Sequence, residues 1–398
     1  MATTKKKTPS KSKVATKTKV KKVATKTKVI ITPAARARDK KIAAYLEKSG
    51  QISFPIQVSE CRHTLHTGLF GVDLIMCGGW RRGREYTVLG MPSEGKSSFA
   101  QEAIAAAQRQ KVMIWHYDIE AGSSKKYMQT QGIIPPDAIE LVNGVEIPKY
   151  RLADGSKGYY YFQPDTGDEA YQSIVNLCNM MPPIPHDDEG KLVDGKPTVL
   201  VVIDSYEAMN PEGVTIETNP LGAAARMHSR YQKQLRSAIR RCGAALVATN
   251  QIRMKVMAFG NPETDGGGLA LQFYADAKMR IRRRREQKEG SRYVSEVKFK
   301  CTKSKMHDPF NEYEARLVIG RGFDRAHDRL EFLTMAGEVE VDRGKYIFTN
   351  GPKTADGKPK KLPYKTARKL MLEPEWRKRC FQLRRSQKLY DWYFGVDK

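Results

Sequence analysis

The chain has 398 residues, 40% of them apolar, and a formal net charge of +26. That length suits one large domain with one or two small ones, and the apolar share is enough for a packed core, which excludes a wholly disordered chain. A small-molecule enzyme has no use for so strong a positive field; it attracts polyanions, nucleic acid first among them, although a ribosomal or architectural protein would carry the same charge.

Residues 1–30 are built from Lys, Thr, Ser, Val and Ala, and the octet Lys-Val-Ala-Thr-Lys-Thr-Lys-Val occurs at 13–20 and again at 22–29. Thirteen Lys and Arg precede the first acidic residue, Asp39. A segment of that composition, here taken as residues 1–36, cannot collapse and is expected to be disordered, either a non-specific DNA tether or a solubilising or targeting tail. From Asp39 to Lys48 the pattern is helical, with Ile42, Tyr45 and Leu46 on one side and Gly50 as a stop; a short strand, Ile52 to Val58, follows. From about residue 66 to 327, strand-like apolar runs alternate with amphipathic helical stretches. That alternation implies an α/β fold with a mostly parallel central sheet. Strands are expected at Glu85–Leu89, Val112–Tyr117, Thr198–Ile203 and Ala244–Thr249, with polar surface insertions near 145–160 and 183–197. Residues 328–398 read as a small, very basic α+β domain ending in a helix around 374–389.

Six cysteines, at 61, 77, 178, 242, 301 and 380, form no Cys-x-x-Cys pair and have no histidines at metal spacing. They read as reduced, buried thiols of an intracellular protein, not as disulfides or a zinc site. The longest purely apolar runs, such as Val199 to Ile203, are strand length, so no segment is expected to span a membrane and no signal-peptide core is present.

The strongest motif is Gly90-Met91-Pro92-Ser93-Glu94-Gly95-Lys96-Ser97, which has the P-loop spacing Gly-x4-Gly-Lys-Ser/Thr. It follows a strand and precedes a helix, Ser98 to Gln108, as the chemistry requires. Glycines let backbone N–H groups curl round phosphates, and the helix N-terminus adds positive potential. Lys96 would reach the β- and γ-phosphates of ATP, and Ser97 would ligate Mg²⁺. Asp204 ends the apolar strand Val199–Ile203 at the sheet edge where ligands bind, and suits the second position of the Mg²⁺ shell. The strand Val112–Tyr117 leads into Asp118-Ile119-Glu120, and either carboxylate would orient and deprotonate an attacking water. His116 reads as a packing residue.

Residues 253–272 hold Arg253, Lys255, Gly260 and Gly266-Gly267-Gly268. A stretch so rich in glycine and polar residues is either an ordinary surface loop or one that orders on DNA, with its cations and N–H groups on phosphates and Val256 and Met257 wedged between bases. The helix from Gly222 to Arg241 carries Met227, Tyr231, Leu235 and Ile239 on a core face, and Arg226, Arg230 and Lys233 on another. A second basic cluster is Arg280-x-Arg282-Arg283-Arg284-Arg285, and Lys298 and Lys300 share one face of a predicted strand.

Several stretches resemble the bacterial RecA recombinase family. The most specific are Gln251-Ile252-Arg253-Met254-Lys255 and Phe259-Gly260-Asn261-Pro262-Glu263-Thr264; Gln163-Pro164-Asp165-Thr166-Gly167 and Gly222-Ala223-Ala224-Ala225-Arg226-Met227 support them. The resemblance covers roughly residues 37–390 and implies a RecA-type P-loop ATPase core, with residues 37–65 as an N-terminal oligomerisation segment that docks on the next protomer. It implies that Glu120 is the catalytic glutamate, Tyr127 the aromatic that stacks on adenine, and Gln251 the γ-phosphate sensor. Lys303 and Lys305 correspond to lysines that reach ATP across the subunit interface, and Phe273 to an aromatic relay there. The nucleotide set is then Gly90, Ser93, Glu94, Gly95, Lys96, Ser97, Ser98, Tyr127 and Asp204. Single-stranded DNA would meet Arg226, Ser229 and Lys233 together with the loop residues Arg253, Met254, Lys255, Val256, Phe259, Gly267 and Gly268. Arg282, Arg283, Lys298 and Lys300 correspond to a secondary site for homologous duplex DNA. The chain departs from the family in its P-loop interior, in a Lys255–Phe259 segment one residue shorter, in the two insertions, and in lacking an acidic C-terminal tail.

The resulting expectation is a cytoplasmic, nucleoid-associated recombinase (or one in a host's cytoplasm, if phage-encoded) that forms a homo-oligomeric helical filament on single-stranded DNA and hydrolyses ATP. A RecA-fold hexameric helicase and a non-catalytic DNA-packaging protein are the alternatives. The Gln251–Phe273 loop, the Lys303/Lys305 pair and the C-terminal domain favour the first, and a complete ATP site argues against the last.

Overall fold

The computed structural model describes residues 63–143, 145–184, 195–214, 222–254 and 263–394. The expected tail, the 39–48 helix, the Ile52–Val58 strand, most of the 183–197 insertion, and Lys255, Val256 and Phe259 lie outside the described residues, as does the side chain of Met254.

The described chain runs α1 (Phe70–Ile75), β1 (Glu85–Gly90), α2 (Lys96–Arg109), β2 (Met113–Asp118), α3 (Lys125–Thr130), β3 (Ile139–Val142), β4 (Val145–Pro148), β5 (Tyr159–Phe162), α4 (Gly167–Met180) and β6 (Val199–Asp204). It continues through α5 (Ala223–Cys242), β7 (Ala245–Met254), β8 (Glu263–Asp265), α6 (Leu269–Tyr274), β9 (Ala277–Glu289), β10 (Arg292–Ser304), β11 (Glu312–Val318) and β12 (Gly322–Phe323). Among the described residues these strands form a ten-stranded sheet, ordered β12-β11-β10-β9-β1-β7-β6-β2-β5 with β8 on β7. From β9 to β5 the neighbours are parallel, whereas β9 through β12 form an antiparallel wing. This is the α/β, mostly parallel architecture that the alternation implied.

The central strands read as unbroken apolar runs because both faces are covered. Val199 to Ile203 are fully buried. On one face β1 and the wing pack against α2 through Phe99, Phe299 and Leu317; on the other, β6 and β7 pack against α4 and α5. α5 buries Met227, Tyr231, Leu235 and Ile239, as its four-residue spacing predicted. The parallel register brings the carboxyl ends of the strands level: Gly90 lies opposite Gln251, and Asp118 opposite Asp204. Ligands of open α/β sheets bind at that edge.

A third apolar cluster joins Phe70 and Leu74 of α1 to Leu330, Phe332, Trp376 and Tyr390. It belongs to α7 (Arg325–Met335), a small sheet of β13 (Val339–Asp342), β14 (Lys345–Phe348) and β15 (Lys361–Pro363), and α8 (Tyr364–Leu370), α9 (Pro374–Arg384) and α10 (Gln387–Phe394). The single helix expected at 374–389 is thus two. Arg385 and Ser386 donate to the carbonyls of Gln382 and Leu383, a tight i to i−3 closure that ends the first helix. Asp328 of α7 accepts from the N–H groups of Phe70 (2.8 Å) and Gly71 (3.1 Å), and so satisfies the start of α1. The insertion near 145–160 is more structured than its polarity suggested. β3 and β4 form a hairpin, and Tyr159 and Tyr160 already lie in β5 of the main sheet.

Candidate functional site

The P-loop joins β1 to α2. Gly95, immediately before α2, has φ +98°, and a Cβ there would stand 3.3 Å from Leu317 Cδ2, so this turn requires glycine. The Lys96 ammonium donates to the carbonyl oxygens of Gly90 (3.0 Å) and Met91 (2.9 Å). Burial lowers its pKa, against the pull of Asp204, Glu120 and Glu94. The Glu94 carboxylate accepts from the Met91 N–H at 2.6 Å and lies 3.7 Å from Arg280. A cleft of about 280 Å³ opens beside the loop, lined by Lys96, Ser97, Ser98 and Tyr127 on one side and by Arg283, Leu317 and Ile319 on the other. Ser98 Oγ and Tyr127 Oη hydrogen-bond at 2.8 Å.

Asp204 is buried at the end of β6. Burial raises its pKa first and foremost, with Glu120 and Asp118 adding to the rise and the hydroxyls of Thr249 and Ser97 opposing it. The peptide joining it to Ser205 is cis. A cavity edge with a lysine, a buried carboxyl and curled backbone fits a nucleoside triphosphate with a divalent cation. Among the described residues no three His, Cys, Asp or Glu side chains cluster as a metal cage. A P-loop cation needs none, because phosphate and water oxygens supply most of its ligands.

The two candidate bases separate. β2 ends at Asp118, so the strand does not carry on to Glu120. Asp118 accepts from Tyr161 Oη (2.7 Å) and from the N–H groups of Ser123 (2.9 Å) and Gly122 (3.2 Å). Glu120 is exposed and accepts one bond, from Ser205 Oγ, at 2.5 Å. His116 is buried against Tyr159 (3.0 Å), and burial pushes its pKa down to about 4, as befits a packing residue.

Arg226, Ser229 and Lys233 are exposed along one side of α5. Gly267 and Gly268 lie against the same helix, and a Cβ on Gly268 would stand 2.7 Å from that of Ala225. Arg253 Nε donates to Glu207 at 2.8 Å. The Gln251 carbonyl accepts from the Gly266 N–H at 3.0 Å, and Asn250 Nδ2 donates to the Gly266 carbonyl at 2.9 Å. Gln251 therefore touches the base of the glycine loop on one side and lies beside Gly90 of the P-loop on the other.

Lys303 and Lys305 converge on the last carbonyls of α6. Lys303 Nζ donates to Gln272 O (2.5 Å) and Phe273 O (3.2 Å), and Lys305 Nζ to Phe273 O (2.9 Å). Cations there complement the helix dipole. Phe273 itself is 71% exposed.

The secondary cluster is divided. Arg282 lies opposite Lys298, and Lys298 and Lys300 both pair with Glu312, so these three share a face. Arg283 lies on the other face, at the cleft beside the P-loop. Grouping it with Arg282 needs correcting, because successive strand residues point to opposite sides. Its neighbour at i−2, the apolar Ile281, was the available signal. Sequence reading also missed Glu207, and a buried polar chain in which Glu85 Oε1 accepts from Tyr206 Oη (2.9 Å) and Gln232, while Tyr171 Oη meets His228 Nδ1 (2.7 Å).

The family model described as the RecA N-terminal domain matches residues 160–324. That segment holds Asp204, α5, Gln251, Lys303 and Lys305, and the P-loop lies before it. Protein RecA of Ectopseudomonas oleovorans is 32% identical over 300 residues, which cover 74% of this chain and 76% of that protein. A sheet edge that gathers a P-loop, a buried strand-end aspartate and a glycine loop on a basic helix, in a chain with that degree of identity, assigns it: the chain belongs to the RecA family.

Proposed function

We propose that the chain is an ATP-dependent homologous recombinase, which coats single-stranded DNA as a filament of its own copies, pairs it with homologous duplex and exchanges strands. The carrying observation is that Gln251 lies beside Gly90 of the P-loop and bonds, through its own carbonyl, to Gly266 of the loop on α5. Nucleotide state and DNA contact thus share one strand, as a DNA-dependent ATPase requires.

In this reading Lys96, the N–H groups of Gly95, Lys96 and Ser97, and the hydroxyl of Ser98 hold the triphosphate, and Tyr127 stacks on the base. Ser97 and Asp204 hold the cation. ATP would supply the phosphoanhydride, whose hydrolysis would drive release of DNA, and Mg²⁺ would neutralise charge on its phosphate oxygens. Glu120, the exposed carboxylate, orients water and takes its proton; Asp118 keeps the turn in shape. Arg226, Ser229, Lys233 and Arg253 meet the phosphates of the first strand, and Arg282, Lys298 and Lys300 those of the second duplex. Lys303 and Lys305 leave the α6 carbonyls to reach the neighbouring subunit's nucleotide. The core spans 66–327 and the basic domain 328–398, and the cytoplasm is the expected site of action.

Strand exchange measured on homologous against heterologous duplex, with ATPase rates with and without single-stranded DNA, tests the reading. Homology-dependent exchange that vanishes with Lys96→Ala is the expected result. DNA-stimulated ATPase without exchange, and closed rings by electron microscopy, would leave a helicase-like motor instead.

A further inference from the structure

The basic run on β9 invites reading as one DNA-facing patch, and strand pairing breaks it in two. Arg283 lies opposite Val297, which is fully buried in the cluster packed on α2. Directly opposed residues share a face. Arg283 is therefore on the α2 side, and the P-loop is where α2 begins. Immediately beyond, Ser295 pairs with Glu286, so β9 carries one more residue than β10 between the two pairs. Such a bulge bends the strand and re-aims its side chains.

The guanidinium is held in place. Nε donates to Ser295 Oγ at 2.8 Å, and Ser295 is fully buried. Ser295 lies opposite Leu317, the side chain that a Cβ on Gly95 would meet. The anchor is thus two contacts from the P-loop turn. Nη2 meets Glu286 at 2.5 Å, but that carboxylate is 45% exposed, and an ion pair so open to water competes weakly with a ligand. Among the described residues, the cleft lining contains two cations, Lys96 and Arg283, and no carboxylate. That calls for an anion, and the planar guanidinium fork matches phosphate oxygens.

We propose that Arg283 binds the polyphosphate of the nucleotide held by its own subunit, and not the second DNA. The proposal rests on the P-loop reading above. The test is equilibrium binding of a fluorescent ATP analogue to the full chain and to Arg283→Ala, Arg283→Lys, Arg282→Ala and Lys96→Ala, with duplex capture by DNA-bound protein at saturating ATP alongside. Arg283→Ala is expected to bind the analogue roughly ten- to hundredfold more weakly, the worth of one charge-assisted hydrogen bond. Arg283→Lys should recover part of the loss, because it keeps the charge and loses the fork. Duplex capture should fall in Arg282→Ala and hold in Arg283→Ala once ATP saturates. Wild-type affinity in Arg283→Ala, with binding lost in Lys96→Ala, overturns the proposal and leaves the P-loop reading standing. Wild-type affinity in both overturns the two together. Equal loss in Arg283→Ala and Arg283→Lys, with melting temperatures lowered in both, means a structural role and also refutes the proposal.

Discussion

Arg384→Ala tests what fastens the basic C-terminal helices to the rest. Arg384 ends α9 and is 1% exposed, and its partner Asp73 in α1 is fully buried. Besides that ion pair, Arg384 Nη2 donates to Thr64 Oγ1 (2.9 Å), Thr64 O (3.2 Å) and Gly78 O (2.5 Å). Burial alone would raise the Asp73 pKa; Arg384, and then His66 at 2.5 Å, more than offset it, so the carboxyl stays below its ordinary range. Truncating Arg384 leaves the buried Asp73 carboxylate with His66 and the Thr67 N–H but no guanidinium, and takes a donor from Thr64 and Gly78, which costs about 3–5 kcal/mol. Equilibrium urea unfolding of the DNA-free protein at pH 7, beside wild type, measures the loss.

The pH dependence carries its own sign. In wild type a depressed Asp73 stabilises the fold above its unfolded pKa, and that gain is lost as pH falls through the lower folded value. In the variant only His66 and Thr67 still oppose burial, so the Asp73 pKa rises from its wild-type value, and the penalty is largest at neutral pH and eases on acidification. His66, relieved of the Arg384 charge that helps to lower its pKa, takes a proton more readily and acts in the same direction. The gap between the two proteins should therefore narrow from pH 7 toward pH 5. A loss under about 1 kcal/mol at pH 7, or a gap that widens on acidification, refutes the reasoning.

Glu120→Gln should bind ATP yet hydrolyse it at least ~100-fold more slowly, the usual worth of a positioned base, and its DNA complexes should persist. Asp118→Asn should chiefly lower the melting temperature, because that carboxylate is already engaged by Tyr161, Ser123 and Gly122. A larger catalytic loss in Asp118→Asn than in Glu120→Gln, by single-turnover hydrolysis, would show the base misassigned. Lys303→Ala with Lys305→Ala should spare analogue binding by dilute protein and abolish cooperative, DNA-stimulated hydrolysis; wild-type cooperativity in ATP titrations would exclude a role across the interface.

The parts of the site legible in the sequence were those that one stretch of chain builds alone. The P-loop needs only its own glycines and the strand and helix on either side, and Asp204 announces itself as the charge that ends a buried run. What stayed hidden depends on pairings between distant stretches. Nothing in Asp118-Ile119-Glu120 says that Tyr161, forty-three residues on, claims the first carboxylate. Nothing in four consecutive arginines shows where β9 is bulged, and the bulge decides which face each of them takes. The α9–α10 break was missed for a similar reason: the helical pattern runs through Arg385-Ser386, and only the tight closure on Gln382 and Leu383 ends the turn.

Glu85 was likewise unreadable, because its surroundings come from stretches of chain far from it in sequence. It starts β1, and its carboxyl meets Tyr206 Oη after β6 and Gln232 of α5. Arg236 of α5 and Asp276 before β9 bring opposing charges. Desolvation outweighs these hydrogen bonds, and its pKa rises to about 7. The unfolded chain then releases this proton from about pH 4.5, while the folded chain keeps it until about 7. Stability from this group is therefore full below pH 4.5 and is lost as pH rises to 7, by roughly 3 kcal/mol at 1.4 kcal/mol per unit. The buried aspartates with lowered pKa values slope the other way, so the whole protein's profile does not isolate the effect. Glu85→Gln does, because the amide keeps the acceptor that Tyr206 and Gln232 use and cannot ionise. Urea midpoints of the two proteins should converge near pH 4.5, and the variant should be the more stable at pH 8. A difference that stays constant across that range would mean that Glu85 titrates like an exposed carboxylate, and that the buried chain from Glu85 through Tyr206 to α5 holds a charge at neutral pH without cost.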